Sequence, residues 1–198
     1  MLLSCFQNVL TEAGIDEAGR GCYAGPVFAA AVVLPPDFYH PVLNDSKQLK
    51  AKQRDELRLV IEKESIAFAV GVADEREIDH INILQSTYLA MHRAIDLLTI
   101  RPGLLLVDGN RFKPYKDTPY HCMVKGDGRF SSIAAASILA KTYRDEYMLQ
   151  LHREYPHYGW NNNKGYGTAV HRNAILVHGL SPHHRKSFNI LPADQSLY

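Results

Sequence analysis

Cysteine, net charge and long apolar runs are all scarce in this chain, and each scarcity removes a class of protein. Three cysteines, Cys5, Cys22 and Cys122, are too few and too scattered for a disulfide framework, and the absence of any CxxC pair removes the usual zinc signature. A reducing compartment suits them. The 22 Lys and Arg nearly balance the 21 Asp and Glu, so overall charge names no partner. Neutrality does not exclude nucleic acid, because acidic metal ligands cancel the Lys and Arg that hold phosphates. No segment approaches the roughly 18 apolar residues of a membrane span, and no basic stretch followed by a long apolar run opens the chain. The expectation is a cytoplasmic protein with no membrane partner.

What is present is ordinary soluble composition, 46% hydrophobic and 22% charged over 198 residues, a size that one hydrophobic core can serve. Without repeats, low-complexity tracts or a linker, the expected organisation is a single domain, 1–198. Charge is unevenly placed: from residue 141 onward seven Lys and Arg stand against four acids, with six of the ten histidines. That bias is modest and fits a solvated surface as well as a phosphate-binding one.

The pattern alternates strands and helices. Val27 to Leu34 is a wholly apolar run after a glycine-rich turn and predicts a buried strand, stopped by Pro35 and Pro36. Ser46 is the expected cap of a helix through about Lys63, and Ile66 to Ala73 is the next strand. Asp74 and Asn82 are expected to cap helical stretches, the second reaching about Leu98. Leu104 to Val107 and His121 to Val124 read as short strands, Ser131 to Tyr155 as a long helix, and Thr168 to His178 as a capped final one. This alternation argues for an α/β fold with a mixed central sheet, flanking helices and a helical C-terminal part.

Asp16, Glu17, Asp108 and Asp127 all lie where a strand meets a glycine-containing turn, the place where open α/β sheets put their ligand sites. Adjacent Asp16 and Glu17 point to opposite faces if the strand stays regular. Singly, each acid reads as a turn cap or a solvated side chain. Together, a carboxylate cluster needs cations, and hard oxygen donors select Mg2+ or Mn2+ over zinc. Two such ions about 3.5–4 Å apart would suit in-line displacement at phosphorus.

Read in order, the segments IDEAGRG at 15–21, NDSK at 44–47, VDGN at 107–110, KGDGRFSSIAAASILAKTYRD at 125–145, NKGYGT at 163–168 and HRKSF at 184–188 resemble type 2 ribonuclease H, over about residues 14–188. The resemblance implies a ribonuclease H-like sheet and an endoribonuclease. Its expected substrates are the RNA strand of RNA–DNA hybrids and a ribonucleotide embedded in duplex DNA, cut on the 5′ side to leave 5′-phosphate and 3′-hydroxyl ends. It also implies that Asp16, Glu17, Asp108 and Asp127 are catalytic and hold two Mg2+ or Mn2+ ions. Gly19, Arg20 and Gly21 would recognise the 2′-hydroxyl, the group that separates RNA from DNA. Tyr166 would pack on the neighbouring deoxyribose, and Lys47 and Lys164 would contact phosphates. Asp145 and Arg144 read as a structural ion pair, or as a contact just behind the metal ligands. His183, His184 and Arg185 form a basic cluster near enough in type to reach substrate, yet stay outside the expected site.

Two alternatives remain at this point. Type 3 ribonuclease H shares the Asp-Glu-x-Gly opening and the fold, but usually carries a separate N-terminal substrate-binding domain, whereas Asp16 comes after only fifteen residues here. A catalytically silent nucleic-acid-binding module is the other, opposed by the intact acidic quartet. A monomer is expected, with a replication clamp open as a partner although no clamp-binding tail is evident.

Overall fold

The computed structural model describes residues 2–7 and 9–190. Five strands form one mixed sheet: β1 (Glu12–Ala18), β2 (Val27–Val33), β3 (Ala67–Ala73), β4 (Leu104–Asp108) and β5 (Tyr120–Met123), in the order β3-β2-β1-β4-β5. The first three strands pair antiparallel, and β4 and β5 add in parallel on the other side of β1. β1 is therefore central. Its span and central place are findings, because the apolar signal of this region lies in β2 and β1 carries two acids.

Among the described residues five α-helices flank the sheet: α1 (Ala51–Glu64), α2 (Glu75–Asp96), α3 (Ser131–Glu154), α4 (Trp160–Asn163) and α5 (Ala169–His178). Alternation along β2 divides the core. Val27, Ala29, Ala31 and Val33 join Ala13 and Ile15 of β1 and Met91 and Ala94 of α2 on one face. Ala30 and Val32 meet Leu57 and Ile61 of α1 and the Ala134–Ala136 run of α3 on the other. Alanines on both surfaces let α3 lie close to the sheet, so its first half reaches under the ends of β1 and β4.

The expected helices form, with one boundary corrected. Ser46 caps nothing: α1 begins at Ala51 after Lys50, and the Ser46 hydroxyl is buried against Ser137 Oγ at 2.8 Å. Asp74 caps α2 through the Glu77 amide, and Asn82 marks a kink inside it, with φ 66° and its side chain accepting from the Leu84 and Gln85 amides. Both act as the caps their sequence suggests, within one merged helix. Thr168 likewise accepts from the His171 amide to open α5.

Candidate active site

The sheet delivers the acids to one end. β1 stays extended through Ala18, so Asp16 and Glu17 diverge as alternation requires. Asp16 faces α3, buried, and accepts hydrogen bonds from the Ser137 side chain and the Glu17 amide. Glu17 faces α2 and pairs with Arg20 at 3.0 Å. Asp108 ends the parallel neighbour β4, and the Gly126 amide donates to its Oδ1 at 2.7 Å. Asp127 sits buried in the short 3-10 turn Gly126–Gly128, just before α3.

Asp16, Asp108 and Asp127 converge: each offers a carboxylate oxygen within 4.8 Å of the others. Glu17 is outside this tightest group. It lines an adjoining cleft of about 280 Å3 with Arg20, Asp108, Asn110, Arg111 and the Leu84–Met91 part of α2. A larger cavity of about 380 Å3 lies near the N-terminal segment, but its acid, Glu12, is already engaged by the Phe6 and Gln7 amides.

The cluster resists ionisation. Burial pushes the Asp16 carboxyl well above its ordinary range, helped by the charges of Glu17 and Asp108. Burial raises Glu17 as well, against the pull of Arg20, and it raises Asp108, with Asp127 adding to the effect. A cation relieves all of this. Lys47 already supplies one from outside: its ammonium lies 3.1 Å from Asp127 and 3.5 Å from Asp45. Partial burial opposes that charge, but the hydrogen bond to Asp127 and the nearby acids win and hold its pKa above the usual lysine value.

The Gly19–Gly21 turn follows β1 directly. Gly19 has φ +97°, and a Cβ there would stand 2.0 Å from Arg144 Nε, so only glycine fits. Arg20 and Gly21 are exposed, and the Tyr166 ring is the nearest group to a Cβ built on Gly21, at 4.0 Å. Tyr166 is itself 45% exposed, in a loop that pairs with Cys22. Lys164 is turned aside, its ammonium donating to the Asn161 carbonyl, and burial lowers its pKa.

Two further readings are corrected. Arg144 does not pair with Asp145, which instead meets Lys141 at 2.6 Å. Arg144 is buried and donates to the carbonyls of Pro26, Ala24 and Lys164. His184 and Arg185 are buried too, with Arg185 donating to the carbonyls of Gly19, Arg20 and Gly25. These arginines brace the turn rather than face solvent. Their local sequences, an Arg-Asp pair inside α3 and the basic stretch 183–186, do not signal burial.

Residues 13–190 match the family model for ribonuclease HII. The chain is 61% identical to a ribonuclease HII of Phocaeicola vulgatus over 197 residues, covering 100% of this chain and 98% of that one. Among solved structures, the ribonuclease H2 of Pyrococcus horikoshii superposes with TM-score 0.76 at 25% identity, covering 91% of this chain and 94% of that one. A ribonuclease HII of Archaeoglobus fulgidus, solved in complex with PCNA, shares the fold with TM-score 0.76 at 23% identity, over 92% of this chain and 97% of that one.

Proposed function

The chain belongs to the ribonuclease HII family, and from that premise we propose that it hydrolyses the RNA strand of RNA–DNA hybrids and cuts on the 5′ side of a ribonucleotide embedded in duplex DNA. The observation that carries this reading is the convergence of Asp16, Asp108 and Asp127 beside the Gly19–Gly21 turn at the end of one strand. The donors fit hard divalent cations: they are all carboxylate oxygens, they lie close together, and Asp16 and Asp108 ionise reluctantly until a positive charge faces them. We assign Asp16, Asp108 and Asp127 as ligands of Mg2+ or Mn2+, with Glu17 completing the site from the cleft side. Two such ions, when bound, supply an activated water and charge stabilisation for phosphodiester hydrolysis to 5′-phosphate and 3′-hydroxyl ends.

The chain's own residues bind and select. Gly19, Arg20 and Gly21 bring backbone groups up to a 2′-hydroxyl, with the Arg20 guanidinium beside the phosphate. Tyr166 offers its exposed ring to the neighbouring deoxyribose. Lys47 holds Asp127 and turns to a phosphate once the carboxylates are neutralised, and Lys164 adds a second phosphate contact. Alignment of the scissile phosphate only when a 2′-hydroxyl is present makes selection part of catalysis. We further propose that the protein works as a single catalytic domain and a monomer, in the cytoplasm, in replication and ribonucleotide excision repair. A clamp of the PCNA kind is the partner to test; residues 191–198 lie outside the described residues.

The test is cleavage mapping on a duplex with one embedded ribonucleotide beside a full RNA–DNA hybrid, each in Mg2+ and in Mn2+. We expect one cut 5′ to the ribonucleotide, several along the hybrid, and neither in Asp16→Asn. A requirement for a longer hybrid stretch would favour the type 3 alternative. Metal-independent binding without cleavage would favour a silent binding module.

A further inference from the structure

Behind the Tyr166 loop lies a buried chain of imidazoles that the catalytic chemistry does not use. His171 of α5 and His184 are both buried, with their Nε2 atoms 3.1 Å apart. The hydrogen bonds fix where each proton sits. Ser181 N–H donates to His184 Nδ1 at 2.9 Å, so that nitrogen is bare and the His184 proton is on Nε2. Trp160 Nε1–H donates to His171 Nε2 at 3.0 Å, so His171 Nε2 is the acceptor shared by Trp160 and His184. The His171 proton is therefore on Nδ1, which lies 2.9 Å from the Tyr166 carbonyl oxygen. One polarity satisfies every bond: Ser181 to His184, His184 to His171, His171 to Tyr166. Both rings must be neutral, since a second proton on His171 would face two donors and one on His184 would face the Ser181 amide.

The next residue works in the opposite direction. Arg185, adjacent to His184, donates to the carbonyls of Gly19 and Arg20 at 2.6 and 2.8 Å. Consecutive residues of one buried segment thus hold the glycine turn with one side chain and, through His171, the Tyr166 backbone with the other. We propose that this segment is a spacer that fixes the separation between the Gly19–Gly21 turn and Tyr166, and that His171 and His184 are positioning residues for where the strand is cut. The inference rests on reading that turn and Tyr166 as the two contacts that straddle the RNA–DNA junction.

The two ends of the His171 ring are separable by substitution. His171→Asn keeps a donor where Nδ1 stands, toward Tyr166, and His171→Gln keeps a polar group where Nε2 stands, toward Trp160 and His184. Kinetics and cut mapping on a single-ribonucleotide duplex should show the Gln variant with KM raised on the order of tenfold, kcat little changed and stray cuts beside the junction. The Asn variant should restore both the KM and the cut position. Tyr166→Ala in the wild-type and His171→Gln backgrounds completes a double-mutant cycle. Effects that do not add support action through Tyr166, and additive effects overturn it. Equal loss in both His171 variants, following their melting temperatures, would make the relay merely structural and also overturn it. Wild-type behaviour of Tyr166→Ala alone would instead reject the junction reading of Tyr166 on which the inference stands.

Discussion

At the scale of single residues, the acidic site is held in tension by the fold. Asp16 is buried against Ser137, and burial and the charges of Glu17 and Asp108 disfavour its ionised form against the pull of its hydrogen bonds and of Lys47. Asp16→Asn should therefore abolish cleavage and yet raise the melting temperature of the metal-free protein. Thermal melts in EDTA check the gain; in Mg2+ the wild type should climb while the variant does not. A less stable variant in EDTA would sink the assignment of Asp16 to a self-repelling cluster. The convergence of Asp16, Asp108 and Asp127 was legible because each lies beside a glycine-containing turn at one end of the sheet, where open α/β folds gather their loops. Glu17 shows the limit: strand alternation foretold its divergence from Asp16 but not its Arg20 partner. For Arg144 a structural role was legible but its partners were not, since Asp145 is the obvious one in sequence and only the tertiary fold brings three carbonyls to the guanidinium.

At the scale of elements, the site depends on how closely helices approach the sheet. On the far face, Gly71 of β3 touches α2: a Cβ there would lie 2.1 Å from the Ala90 carbonyl oxygen. Gly71→Ala should cost about 1–3 kcal/mol by forcing α2 away, while kcat at a permissive temperature falls far less, because Asp16, Asp108 and Asp127 are carried by β1, β4 and the turn before α3 and α2 contributes only the wall of the Glu17 cleft. Denaturant melts beside kinetics separate the two effects, and lost activity at full stability would argue against this division. On the near face, α3 places Ser137 between Ser46 and Asp16. Ser137→Ala removes a hydrogen bond to the ionised carboxylate, and Mg2+ affinity by calorimetry should fall on the order of tenfold; unchanged affinity would deny Ser137 an orienting role. The helices and most strands were legible from periodicity and caps, notably Asp74, Asn82 and Thr168. The extent of β1 and its central place were not, because its alternation is Ala13, Ile15 on one side and Gly14, Asp16 on the other, a pattern too polar and too small to announce a central strand.

At the scale of the whole molecule, two buried groups of opposite chemistry set the response to acid. His184 is pushed down to about 3 by burial and by the neighbouring His171, which burial lowers as well. Above the unfolded value of about 6.5, folded and unfolded chains both carry these rings neutral, so the fold loses nothing. As pH falls below it the unfolded chain takes up protons that the folded one refuses, and stability drops by at most about 1.4 kcal/mol per pH unit for each ring, down to the folded pKa. The carboxylates act in reverse. Asp16, Glu17 and Asp108 have raised pKa values, so without metal the folded chain binds protons first and gains stability as pH falls from neutrality toward their ordinary range near 4. In EDTA the two trends oppose, so each blunts the effect of the other on the melting temperature below pH 6.5. Mg2+ competes with protons for the same oxygens, so its stabilisation should be largest above pH 7 and fade as the cluster protonates. The metal-loaded protein should therefore lose stability more steeply with acid than the EDTA sample. Replacing Asp16 by Asn should steepen the EDTA curve by removing the compensating carboxylate. Melting curves across pH in EDTA and in Mg2+ decide it, and parallel curves would mean that the acids and the imidazoles are not the groups in control.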